Sequence, residues 1–168
     1  MFAATYAVGA EVVAAHPTRE EVRAVMAGGF EALPAEVREG LPLDRALPPE
    51  ARAALEEEIV ASHCGHATPD MVGKMVLAQI FKDAWMARAL THVGPRATLI
   101  AGNGHTRTDR GVPWYLDGAV SVVAFVEVRD SEAEPAAYDA PADYVWFVPR
   151  VDDEDPCAAF AKPTGGAE

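Results

Sequence analysis

Ala97-Thr98-Leu99-Ile100-Ala101-Gly102-Asn103-Gly104-His105 is the stretch on which the reading of this chain turns. A short apolar run that ends in Gly-Asn-Gly-His predicts a buried strand delivering a loop at its carboxyl end. In α/β proteins that is where ligands gather. The glycines permit a tight turn with positive φ and let backbone N–H groups approach a ligand. His105 would then project from a rigid strand end, placed to serve as a metal ligand, a haem contact or a general base. A plain strand-to-loop turn with a hydrogen-bonded histidine fits the same residues.

Upstream of this stretch the chain reads as helices. Pro17-Thr18-Arg19-Glu20-Glu21 carries a Thr-x-x-Glu capping box. Val22, Val25, Met26, Gly29, Phe30 and Leu33 then share one helical stripe. Gly40 to Pro49 holds three prolines and reads as an ordered surface loop. A second helix spans Glu50 to Val60, with Ala51, Ala54, Leu55 and Ile59 inward and Glu56, Glu57 and Glu58 on a solvated face. The third helix is capped by Thr68, has Pro69 in its first turn, and runs to about His92 before Gly94-Pro95 stops it. Downstream, Gly111 to Leu116 reads as a short helix, and Val120 to Val128 and Tyr144 to Val148 as strands. Before the first helix, Met1 to Ala10 is apolar like a signal core. It has no positive charge ahead of it, the first basic residue being Arg19, so Phe2 to Val8 is read as part of the mature chain, with a short strand over Glu11 to Ala15. Together these elements predict an α/β fold, a layered sheet with flanking helices.

Composition bounds the function. A chain of 168 residues allows one domain. With 50% hydrophobic residues and a mean hydropathy of +0.01 it can bury a core, which excludes disorder. The 14 basic and 26 acidic residues give a net charge of -12, which argues against a nucleic-acid partner. The longest apolar run, Ala119 to Val126, is strand-sized, far short of the ~18 residues of a membrane helix. Two cysteines exclude a disulfide-dense scaffold. Charge is uneven: Glu127 to Asp155 holds ten acidic residues against Arg129 and Arg150, whereas Arg96 to Arg110 holds three arginines and only Asp109. Arg107 and Arg110 therefore surround the Gly-Asn-Gly-His turn with positive charge, and a ligand there would be anionic.

The third helix carries the next candidates. At ~100° per residue, Lys74, Phe81, Trp85, Arg88 and His92 share a face, and Asp83 lies opposite with Val72, Val76, Gln79 and Leu90. A carboxylate and an amide four residues apart on a buried side need partners. Either Gln79 and Asp83 orient His105 or line a pocket, or they form a structural pair anchoring the helix. Phe81 and Trp85, on the charged face, would cover another lobe or subunit. In His63-Cys64-Gly65-His66 the spacing is cramped for zinc and no second pair lies nearby. Cys64 is either reduced and buried or paired with Cys157 in an oxidising compartment. If haem is the ligand, a tyrosinate can bind ferric iron. Tyr115 is then the best placed, its alternative being plain packing.

Taken together, His63-Cys64-Gly65, Met75, Gln79, Lys82-Asp83, Met86-Ala87, Ile100 to His105, Arg107, Asp109-Arg110-Gly111-Val112-Pro113, Tyr144-Val145-Trp146-Phe147 and Asp155-Pro156-Cys157 resemble the ChaN-like family, the haem-binding uptake group of the Tiki superfamily. The likeness runs from about Val8 to Phe160. It implies a partial erythromycin-esterase/ChaN-like fold over residues 1–161 with a flexible tail at 162–168. It also implies a bacterial protein of iron or haem uptake, periplasmic or outer-membrane-associated, that binds haem or another anionic small molecule, with a homodimer among its expected states. Asn103, His105, Arg107, Arg110, Tyr115, His63, Gln79 and Asp83 become the cofactor-binding candidates, with His105 the metal ligand. Family members begin with a strand carrying a Gly-Glu-x-His-like segment; none occurs here, and neither a signal peptide nor a lipobox is seen. Two further readings stand beside the first: a metal-dependent hydrolase of the Tiki or erythromycin-esterase type, and a non-catalytic half-domain docking a partner through Phe81 and Trp85.

Overall fold

The computed structural model describes residues 2–128, 134–151 and 155–158. Its elements follow in the order α1 (Phe2–Ala7), α2 (Arg19–Gly28), α3 (Ala35–Arg38), α4 (Pro49–Ser62), α5 (Pro69–Val93), α6 (Asn103–Thr106), β1 (Val123–Glu127) and β2 (Tyr144–Val148), with 3-10 turns at Phe30–Ala32, Val112–Tyr115 and Pro135–Ala137. The expected tail at 162–168 lies outside the described residues, as do Asp130, Glu132 and Asp152 to Glu154 of the acidic segment.

Local signals set the helix ends. The Thr18 backbone N–H donates to Glu21 Oε2 at 2.7 Å, and the Glu21 N–H donates to Thr18 Oγ1 at 3.2 Å, closing the capping box. Gly29, at φ 69°, stops α2 with its N–H donating to Val25 O. Thr68 Oγ1 accepts from Met71 N, and Gly94, at φ 101°, ends α5.

α5 is the central element because three groups pack on it. Phe81 is fully buried with Val25, Leu33 and Leu41, the α2 side of the core, and Trp85 packs against the same cluster. Val72 and Val76 meet Leu55 and Ile59 of α4. Ala84, Met86 and Ala87 meet Val112 and Tyr115 of the second 3-10 turn. Burying a side chain the size of Phe81 contributes about 2–3 kcal/mol, so the face that carries Lys74 and Arg88 is claimed by α2. The expectation that Phe81 and Trp85 offer a docking surface is therefore corrected for Phe81, whose cover is intramolecular, while Trp85 is half-buried.

The α/β class holds, with a sheet smaller than expected. β1 and β2 pair in parallel with Val123 opposite Tyr144 and Glu127 opposite Val148. Ala97 to Ala101 has no regular secondary structure; its exposure alternates as in a strand, but it belongs to no sheet. Glu11 to Ala15 is likewise irregular, and Phe2–Ala7 before it is helical. Apolar alternation gives the local conformation; a strand also needs a neighbouring backbone to take its N–H and C=O groups, and none among the described residues does so. Cys64 and Cys157 form a disulfide, with Cα atoms 5.5 Å apart, tying the turn after α4 to the chain beyond β2.

Candidate functional site

The Gly-Asn-Gly-His stretch is one helical turn, α6, following Gly102. Neither Gly102 nor Gly104 has the positive φ expected of it. The glycine that the geometry requires is Gly111. A Cβ there would fall 2.3 Å from the His105 carbonyl oxygen and 2.9 Å from Arg107 N. The chain doubles back so tightly that Gly111 N–H donates to Arg107 O at 2.9 Å. This contact fixes the backbone that carries His105.

Asp83 and Gln79, one turn apart on α5, both reach the His105 ring. Asp83 Oδ1 lies 2.6 Å from His105 Nδ1, and the Gln79 amide nitrogen lies 2.8 Å from the same atom. Asp83 is only 2% exposed. Burial pushes its carboxyl up to about 6, against the pull of the His105 hydrogen bond and charge, of Lys82 and of Gln79. With Asp83 ionised, Nδ1–H donates to the carboxylate, which places the lone pair on Nε2. A carboxylate behind an imidazole in this way fixes the tautomer and the orientation of the ring. The half-buried ring can thus act as a ligand to iron or another metal, or accept a proton.

Tyr115 is buried beside this group, and its hydroxyl has no hydrogen-bond partner among the described residues. Burial raises the phenol well above its ordinary range, and the Asp83 charge adds to the rise, outweighing Arg45. A tyrosinate is therefore disfavoured at this position, and the side chain serves the core of α5.

The two arginines differ most from expectation. Arg107 donates from Nε and Nη2 to Asp109, at 2.9 and 2.7 Å, and from Nη1 to Asp139 Oδ2 and O, at 2.9 and 3.1 Å. Arg110 donates to Asp109 Oδ2 at 3.1 Å and to Glu58. Burial favours the neutral form of Arg107, but the hydrogen bonds it donates to Asp109 and Asp139 outweigh this and raise the guanidinium further. Burial likewise works against ionised Asp109, and Arg107 with Arg110 overcomes it, holding the carboxyl below its usual range. Both arginines are buried and matched by carboxylates, so the positive cradle read from the sequence is a closed ion network. Asn103 is similarly committed: its Nδ2 donates to Phe125 O at 2.7 Å. His63 stands at the C-terminal end of α4, where its Nδ1 donates to Ile59 O at 2.7 Å.

The structure thus brings Gln79, Asp83 and His105 together, sets Tyr115 behind them, and gives Asn103, Arg107, Arg110 and His63 structural contacts. Sequence reading missed Glu58, Asp139 and Gly111. Nothing local marks Glu58 within the Glu56 to Glu58 run, and Asp139 reaches Arg107 from 32 residues downstream. Beside α6, between β1 and the segment Tyr138 to Pro141, lies a cleft of about 290 Å³ lined by Asn103, Thr106, Arg107, Ala124 and Asp139. Ligand pockets commonly run from about 300 to 1,000 Å³, so this cleft is at the small end, and His105 does not line it.

These features define an α/β protein in which an imidazole is backed by a buried carboxylate. The chain belongs to the family of haem-binding uptake proteins of the Tiki superfamily, ChaN, which matches residues 1–116. The fold is similar to the solved structure described as cofacial heme binding to ChaN of Campylobacter jejuni, with a TM-score of 0.61 and 25% identity. That likeness covers 81% of this chain and 50% of the other, so the chain spans about half the length of its solved relative. No curated protein matches by sequence.

Proposed function

We propose that this chain binds haem in iron or haem uptake, with His105 Nε2 as the nitrogen offered to the iron. The carrying observation is the 2.6 Å contact that holds His105 Nδ1 on buried Asp83. It leaves one nitrogen for a ligand and holds the ring in one orientation, a recurring arrangement behind metal-binding imidazoles. Family membership and the haem-binding solved relative support the same reading. Haem, when bound, would supply the iron; the chain's own part is to fix the ring and screen one side of it with the α5 core. The propionates would meet Arg107 and Arg110 only by displacing Asp109, Asp139 or Glu58. Residence in the periplasm or at the outer membrane belongs to this proposal. The Cys64–Cys157 bond supports it, since such bonds persist in oxidising compartments. A haem-bridged homodimer is part of the same reading.

Hemin titration tests it. A displaced Soret band is expected at micromolar hemin. His105→Ala should abolish the displacement, and Asp83→Asn should weaken binding about 10-fold or more, as for other groups that orient a ligating histidine. No Soret change with the unaltered protein would sink the proposal.

A further inference from the structure

We infer, resting on the proposed role of His105, that Glu58 is a positioning residue for it: a carboxylate from α4 wedged between the two arms of the turn that carries the imidazole. α4 is seated on α5 through Leu55 and Ile59, which meet Val72 and Val76. Glu58 follows Leu55 by three residues, so it stands at the edge of that packed face. From there its two oxygens reach different parts of one turn. Oε2 accepts from Arg110 Nη2, in the residue before Gly111. Oε1 lies 3.3 Å from where a Cβ on Gly104 would sit, in the residue before His105. Gly111 in turn lies against the His105 carbonyl, where a Cβ would come within 2.3 Å. One carboxylate thus braces the approach to His105 and the arm that folds back on it.

Burial makes this contact count for more than a surface ion pair. The Arg110 side chain is 3% exposed. Its Nη1 donates to Asp109 and its Nη2 to Glu58, and its Nε has no hydrogen-bond partner among the described residues. Without the Glu58 charge, the buried cation would keep one carboxylate, and Arg107 already shares that one. Removing one partner of a buried pair leaves a charge that needs water or another group. Arg110 can reach one only if its arm of the turn shifts, and that arm is the one whose close approach fixes the His105 backbone. Gly104 gains an explanation here as well. Its φ is not positive, so no turn requires glycine, whereas a side chain would press on Glu58. The second glycine of the Gly-Asn-Gly-His run is the opening through which the carboxylate reaches the turn. The imidazole is therefore held from two helices, its Nδ1 by Asp83 of α5 and its backbone by Glu58 of α4.

Two readouts on the full chain separate positioning from plain stabilisation. Long-range proton–nitrogen NMR of the haem-free protein reports the protonation and surroundings of the His105 ring, and hemin titration reports its use. Glu58→Gln keeps the shape of the side chain and removes its charge. It should shift the His105 ring resonances and raise the hemin dissociation constant about 2- to 30-fold, the range of couplings carried through packed networks. Glu57→Gln, on the exposed side of α4, should change neither. If circular dichroism shows that Glu58→Gln is unfolded, Gly104→Ala takes its place with the same expected directions, because its methyl group presses on the same carboxylate. A folded Glu58→Gln protein whose His105 resonances coincide with those of the parent overturns the inference, whatever happens to its stability. Equal shifts from Glu57→Gln overturn it too. A parent without a Soret response, together with a Glu58→Gln protein whose ring resonances still move, removes the haem reading and leaves the positioning of His105 standing.

Discussion

Replacing Gly111 with alanine adds one methyl group, and the structure says where it goes. The new Cβ would sit 2.3 Å from His105 O, 2.7 Å from His105 C and 2.9 Å from Arg107 N. All three are backbone atoms, so no rotamer change relieves the contact. The turn must open, loosening the Gly111 N–H bond to Arg107 O and the ring held by Asp83. Overpacking of this kind costs about 2–3 kcal/mol, which in a chain of this size lowers the melting midpoint by roughly 5–10 °C. Gly73→Ala is the matched control. Gly73 lies within α5 with nothing inside 4 Å of its Cβ position. Alanine there should stabilise by about 0.8–1 kcal/mol through helix propensity alone. Urea denaturation of both variants reads the two signs directly. A Gly111→Ala protein within about 0.5 kcal/mol of the parent, the range of a neutral surface change, would refute the close approach and with it the account of how His105 is held.

Two further outcomes follow from other parts of the structure. Asp83 has its carboxyl raised from 3.8 to about 6, so the native state holds this proton more tightly than the unfolded chain. The resulting stabilisation is fully present below the unfolded value, declines through the interval, and is lost as pH rises through about 6; its size is up to about 3 kcal/mol. Asp83→Asn should flatten the stability profile between those two values, and superimposable profiles for parent and variant would rule the effect out. The disulfide closes a separation of 93 residues, for which the chain-entropy relation gives about 4–5 kcal/mol. Cys64→Ala with Cys157→Ala should lower the urea midpoint accordingly, and thiol counting of the unreduced parent should find neither cysteine free.

What could be read from the sequence was set by how far each residue's partners lie along the chain. Thr18 and Glu21 answer each other within one turn, as Thr68 and Met71 do, so the starts of α2 and α5 were legible. The inward direction of Asp83 was also legible, because helical periodicity alone opposes it to Lys74. The direction of Phe81 was not, because α5 is covered on more than one side and only the position of α2 reveals the second. Ala97 to Ala101 has the pattern of a strand without a strand's neighbour. Arg107 and Arg110 looked like an anion site because their carboxylates, Asp139 and Glu58, come from 32 and 52 residues away. Gly111 stood in a recognisable Gly-Val-Pro run, yet its need for a bare Cα exists only where His105 folds back against it.

Asp83 is the residue hardest to explain by folding alone. It sits among Ala84, Met86 and Ala87 on the most buried stretch of α5, and burial dominates its ionisation, leaving the carboxyl raised in spite of His105, Lys82 and Gln79. A buried charge that its partners compensate only in part is a net burden on stability, and an apolar residue of similar volume commonly relieves such a burden. The ion network of Arg107, Asp109 and Arg110 behaves differently, since there the partners overcome burial and the carboxyl is lowered. One cluster is therefore assembled so that its charges satisfy one another, and the other so that an imidazole nitrogen is left over. Perturbed carboxyls of the second kind concentrate at functional sites, which supports the proposed site on the Asp83–His105 axis and leaves the arginine cluster the part of holding the turn in place.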